Sequence, residues 1–194
     1  MRYLLLIFIT SIAFTLNASE KKGYHSSYAG QEKRAIKSLS ADAIQQLQQG
    51  KGWGLAKAAE LNGMPGPVHI LEMKKEIDLT TEQETKINAL FKEMKSQAIP
   101  LGKQLIALEK DLNDSFAEET ITDESLKQIL SKIANVRKEL RYVHLATHLQ
   151  TPKILNPEQI SLYNKLRGYG SGDPCKNIPA GHNVKMWKMH NDCN

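Results

Sequence analysis

Aromatic side chains are scarce: four Phe, six Tyr and two Trp among 194 residues. Aromatics bury the most area per residue, so a thick globular core is not expected. Twelve Gly and seven Pro are too few for collagen or a low-complexity chain. The net charge of +5 is spread along the chain without a Lys/Arg block, which argues against nucleic acid as a partner. Strand-like alternation of apolar and polar residues is missing throughout. So are Gly-x-Ser-x-Gly, His-Glu-x-x-His and dinucleotide fingerprints. Gly50-Lys51-Gly52-Trp53-Gly54 lacks the Gly-Lys-Ser/Thr ending of a phosphate loop and reads as flexible backbone beside a docked Trp. The acidic pairs Glu118-Glu119 and Asp123-Glu124 flank a helical hinge, where helix-start charges account for them. No enzymatic activity is expected.

Long apolar runs are confined to the N-terminus. Arg2 precedes Leu4-Leu5-Leu6-Ile7-Phe8-Ile9 and Ile12-Ala13-Phe14, and small Ala18 precedes a polar stretch. This is the layout of a secretory signal peptide over residues 1–18, cleaved after Ala18. A membrane span needs about 20 apolar residues, more than this run supplies. Export to the periplasm follows, with no transmembrane span after cleavage. Only two cysteines are present, Cys175 and Cys193, and an oxidising compartment favours their pairing. Closing a loop of that length contributes on the order of 3 kcal/mol in the chain-entropy model. Residues 19–38 read as a flexible N-terminal segment, 39–169 as a helical domain, and 170–194 as a Gly-linked tail.

What the chain has in abundance is helical periodicity. Short helices are predicted over Ala41 to Gln49, Leu55 to Leu61, and Pro67 to about Ile77. Two long ones follow. From Thr81, Ile87, Leu90, Met94, Leu101, Leu105, Leu108 and Leu112 recur mostly at three- and four-residue steps. From Asp123, Leu126, Ile129, Ile133, Val136, Leu140 and Val143 do the same. Helices of about 35 and 30 residues extend about 45 to 55 Å. The short link between them, residues 118–122, forces an antiparallel hairpin. Pro100 removes a ladder hydrogen bond, so a bend is expected there. A capping helix runs from Pro157 to about Leu166. The fold class is all-α, a long hooked hairpin with short N-terminal helices.

Two helix starts share one design. In Leu79-Thr80-Thr81-Glu82-Gln83 and Leu155-Asn156-Pro157-Glu158-Gln159, Thr80 and Asn156 are N-cap types. Gln83 and Gln159 sit where an amide can reach back to the cap N–H. Leu155 can also staple onto Ile160. With the signal peptide and the hairpin, these paired Leu-Thr-x-x-Gln elements resemble the Spy/CpxP family of periplasmic proteins over about residues 67 to 169, Asn156 replacing Thr in the second copy. The resemblance implies a hairpin that dimerises into a cradle. It implies one of three roles: an ATP-independent chaperone for unfolded or misfolded envelope proteins, a modulator of an envelope-stress sensor kinase, or a metal-responsive protein of the zinc-resistance and cobalt/nickel-sensor branch. No cofactor is required for the first two.

Each reading has its residues. A two-helix hairpin leaves apolar stripe uncovered, and a second copy or a client can cover it. Ile87, Leu90, Met94, Leu101 and Leu105 are the predicted client-binding stripe; in the competing arrangement the short N-terminal helices cover it themselves. For a metal, His144 and His148 stand one helical turn apart, as do His69 and Met73, with Glu72 beside them. Hairpin geometry brings the two pairs to within about one turn, ~5 Å along the axis. Two His, a third His and a Met or Glu suit zinc, copper, nickel or cobalt. The tail offers a second set, His182, Met186, Met189 and His190, whose thioethers suit Cu(I).

Overall fold

The structure, a computed structural model, describes residues 24–169, 175, 176, 178 and 183–193. The predicted signal peptide and His182 lie outside the described residues. The chain divides into two units, residues 1–32 and residues 33–194. In the first, Ser26 organises a turn, accepting from the Tyr28 N–H through Oγ at 3.1 Å and from the Ala29 N–H through its carbonyl. A single 3-10 turn, Gln31–Lys33, follows at the boundary.

The second unit is all-helical among its described residues. Three short helices, α1 (Ala41–Gln48), α2 (Lys57–Glu60) and α3 (Pro67–Glu72), precede two long ones, α4 (Thr81–Ala117) and α5 (Asp123–Gln150). A 3-10 turn (Thr151–Lys153) leads to α6 (Pro157–Leu166), and α7 (Val184–His190) lies in the tail. The α4–α5 pairing is the most extensive in the molecule, as a five-residue link between long amphipathic helices requires. Chemistry sets the boundaries. Ser40 caps α1, Thr80 caps α4, Thr122 caps α5 and Asn156 caps α6, the last three in reciprocal capping boxes. Glu119, in the left-handed region at φ 56°, turns the chain out of α4. Helix α4 continues through Pro100 without interruption.

Two apolar clusters hold the helices together. The larger joins Ile36, Leu39 and Leu47 to Met94, Ala98 and Leu105 of α4 and to Ile133, Val136, Leu140 and Val143 of α5. The smaller joins Ile70, Ile77, Ile87, Leu155 and Tyr163. Ile36 corrects the expected boundary. It belongs to the core, while Ser38 Oγ donates to the buried Glu109 carboxylate at 2.7 Å and the Lys37 N–H donates to Asn113. The helical body thus begins several residues before 39, because apolar Ile36 and Leu39 flank the polar pair that caps Glu109 and Asn113.

Helix α1 lies across α4 in close contact at Gly102. A Cβ at Gly102 would stand 2.3 Å from the Leu47 carbonyl oxygen, so only glycine admits this crossing. The chain leaves α1 through Gly50, at φ 61° and buried against Ala98 and Ile99. The short N-terminal helices therefore cover one side of the hairpin. Helix α2 is a single turn, shorter than expected, and α3 ends at Glu72, after which turns carry the chain to Leu79.

Candidate functional site

The two matching helix starts meet. Gln83 Nε2 donates to Gln159 Oε1 at 2.9 Å, and Gln159 Nε2 donates back to Gln83 Oε1 at 3.0 Å. Each amide also serves its own helix: Gln83 Oε1 accepts from the Thr80 N–H at 3.1 Å, and Gln159 Oε1 from the Asn156 N–H at 3.0 Å. Each then reaches across to the backbone entering the other helix. Gln83 Nε2 donates to the Ile154 carbonyl, and Gln159 Nε2 to the Asp78 carbonyl. The result is a pseudo-twofold clasp between the starts of α4 and α6, in which both amides use donors and acceptor alike. Beneath it, Leu79 and Leu155 pack into the smaller cluster. This gives the motif a physical meaning: leucine for the core, Thr or Asn for the cap, glutamine for the cross-link.

Next to the clasp, Glu60 of α2 anchors the end of α6. Its Oε1 accepts from Arg167 Nη2 at 2.6 Å and from the Tyr169 hydroxyl at 2.7 Å. Burial pushes the Glu60 carboxyl up, but the Tyr169 and Arg167 hydrogen bonds and nearby positive charge outweigh it and hold the group below the usual carboxylate range. Tyr163, fully buried beside it, is pushed well above the ordinary phenol range by burial and by the Glu60 charge. These groups are locked in structure. None is poised to exchange a proton near neutral pH.

A cavity of about 490 Å³ opens between the hairpin, α3 and the glycine-rich loop 50–54. Trp53, Phe91 and Met94 supply its apolar wall, and His69, His144 and His148 all border it. Trp53 sits at φ 42°, a conformation that bulky residues rarely adopt, between Gly52 and Gly54. The three histidines have different occupations. His148 Nδ1 donates to the Met64 carbonyl at 2.8 Å, and its ring fills the space where a Cβ on Gly66 would fall, 2.5 Å from Nε2. His69 Nδ1 lies 2.9 Å from Glu72 Oε2, and its Nε2 lies 3.6 Å from Glu60. His144 is 4% exposed, and its Nε2 has no hydrogen-bond partner. Burial, aided by the charge of His148, pushes His144 down to about 4, so it is neutral at pH 7.

Of the metal set expected from the sequence, His69, Glu72, His144 and His148 border one cavity and Met73 does not, and the set is not assembled into a centre. Among the described residues, no three His, Cys, Asp or Glu side chains stand together as metal ligands. His69 is paired with carboxylates and Met73 packs into the smaller apolar cluster, which takes both away from His144 and His148. The donor set as folded does not fit a tetrahedral zinc site.

The predicted client stripe is also corrected. Ile87 and Leu105 are 0% exposed, Leu90 and Met94 under a tenth, and Leu101 packs against the larger cluster. Helices α1, α3 and α5 cover that side of α4, so it is core. The exposed apolar residues lie elsewhere. Tyr142 and Leu149 of α5 are 66% and 58% exposed, seven residues apart. Tyr142 lines a groove of about 240 Å³ together with Glu93 and Gln97 of α4 and Ala146 and Gln150 of α5, and Leu149 follows about two turns further along α5. Their signal in the sequence is an apolar pair at heptad spacing that lies off the core-facing set Ile133, Val136, Leu140 and Val143.

In the tail, Cys175 and Cys193 form a disulfide, and Asn183 caps α7 by accepting from the Met186 N–H. Among the described residues, no helix is long and apolar enough to cross a membrane.

Residues 68–167 match the family model described as LTXXQ motif family protein. No curated protein and no solved structure gives a significant match. The matched span runs from the start of α3 to the end of α6 and contains both halves of the glutamine clasp, and with it more than half of the chain: this protein belongs to the LTXXQ motif family.

Proposed function

We propose that the chain is a non-catalytic periplasmic protein of Spy/CpxP type that holds unfolded envelope proteins without ATP. Family membership and the secretory character of residues 1–18 support the compartment. The observation that carries the client role is the pair Tyr142 and Leu149, two large apolar side chains left in water on α5, the first of them lining the groove between α4 and α5. A side chain of this size gains about 1.5–3 kcal/mol when fully buried, enough for weak and reversible capture of apolar client segments. Exposed Arg141 and Lys153 and the groove-lining Glu93 give this part of the molecule charges of both signs. Capture and release then need no fuel, because each contact is individually weak. A second copy can cover the same face, so homodimerisation and client binding draw on one surface, and a sensor-kinase domain could dock there in turn.

The test is aggregation of a reduced or heat-unfolded client, followed by light scattering. Near-stoichiometric parent protein should suppress scattering. The double variant Tyr142→Ser/Leu149→Ser should lose most of that effect, with unchanged helical circular dichroism, since both side chains are exposed. Full suppression by the double variant would remove this surface from the function.

A further inference from the structure

The tail helix α7 carries a different chemistry, independent of the client surface. Met186, Met189 and His190 occupy positions i, i+3 and i+4, which share one face of a helix. All three are exposed, Met186 at 52% and Met189 at 65%. Two thioethers held in water on a seven-residue helix gain nothing from packing at those positions. A helix so short is not stable alone, and this one is pinned at both ends. Asn183 caps its start, Asn191 Nδ2 donates to the Trp187 carbonyl at 2.9 Å, and the Cys193 N–H donates to the Lys188 carbonyl at 2.9 Å. The Cys175–Cys193 disulfide closes the segment directly after it.

The disulfide also settles which sulfur atoms are available. Both cysteine thiols are consumed, so the soft donors that remain are the two thioethers, with one imidazole beside them. Around them stand Lys185 and Lys188, and among the described residues of the tail the one acid, Asp192, lies beyond the helix end. Hard divalent ions require carboxylate or carbonyl oxygen, which this face lacks. A soft monovalent ion tolerates neutral sulfur and nitrogen ligands, low coordination and a positive surround.

We propose that Met186, Met189 and His190 form a three-donor site for a soft monovalent metal ion, Cu(I) or Ag(I), displayed on the disulfide-closed tail. Binding should be selective against Zn(II), because the site offers one nitrogen and no thiolate or carboxylate.

Ag(I) is the probe of choice. It needs no reductant, so the disulfide stays closed during titration into the full processed chain. The side-chain methyl resonances of Met186 and Met189 should shift together and saturate at one equivalent, while Zn(II) leaves them in place. Met186→Leu/Met189→Leu keeps the size and helix preference of both side chains and should weaken Ag(I) binding at least about tenfold. His190→Ala should weaken it while leaving the methyl shifts intact. Unmoved methyl resonances at one equivalent, or undiminished affinity in the Leu double variant, would overturn the proposal. Equal affinity in His190→Ala would overturn the three-donor set.

Discussion

His144 shows how one atom can set a response to acid. Its Nε2 is buried without a partner, and protonation would place a charge there beside His148. The folded chain therefore holds this proton with a pKa near 4, against about 6.5 for a free imidazole. The sign follows from linkage. Above pH 6.5 the group is neutral in both states, and its contribution is fully present. As pH falls from 6.5 towards 4, the unfolded chain takes up the proton first and stability is lost, by at most about 3 kcal/mol. His144→Leu should remove that slope. Urea unfolding at pH 7.5 and pH 4.5 should show the parent losing about 2 to 3 kcal/mol more than the variant between the two. Equal losses would mean that His144 is not the group that titrates.

At the scale of elements, the glutamine clasp does what hydrophobic patterning could not. It fixes the start of α4 against the start of α6, two helices separated by the whole hairpin in sequence. Each amide depends on the other, since Gln159 is only 7% exposed and would be left with unpaired donors. Gln83→Ala and Gln159→Ala should each cost about 1 to 3 kcal/mol. Their double variant should cost less than the sum, with a coupling of about 1 kcal/mol or more, because either single change already breaks the shared pair. Urea unfolding of the four chains gives the cycle. Simple additivity would show the two helix starts to be independent caps. The sequence displayed both caps and both glutamines, but a local motif cannot say that its partner is a second copy of itself.

At the scale of the whole molecule, a question of cover decides the function. A two-helix hairpin with few aromatics has too little core to stand alone, and two coverings were open: a partner, or the chain's own N-terminal portion. The second unit uses its own residues. Ile36, Leu39 and Leu47 complete the larger cluster, and Ser38 satisfies Glu109. A chain beginning at residue 40 should be less stable than one beginning at Lys33 by more than about 3 kcal/mol, through lost burial of Ile36 and Leu39 and an unpaired buried Glu109. Thermal unfolding of the two fragments checks this; matching midpoints would place residues 33–39 outside the folded body. The same covering moves the proposed client surface from α4 to the outer edge of α5.

Period, caps and link length are local properties, and they determined the helices by themselves: Thr81 and Asp123 as starts, the turn near residue 120, and Pro157 to Leu166 as the last helix of the body. The all-α class was legible for the same reason. Helix α4 carries Pro100 inside one continuous helical span. Helix α7 escaped notice because seven residues carry too little periodicity, and its stability comes from Asn183 and the disulfide. What tertiary structure alone decided is which face of each helix is covered. Ile87, Leu90, Met94 and Leu105 have the same pattern whether a client, a second copy or α1 lies over them, because amphipathicity reports that a face wants burial and not what buries it. The histidines follow the same rule. Their spacing placed them around one cavity, but whether an imidazole meets a metal, a carbonyl or nothing depends on neighbours distant in the chain: Met64 and Gly66 for His148, Glu60 for His69, and the apolar wall around His144.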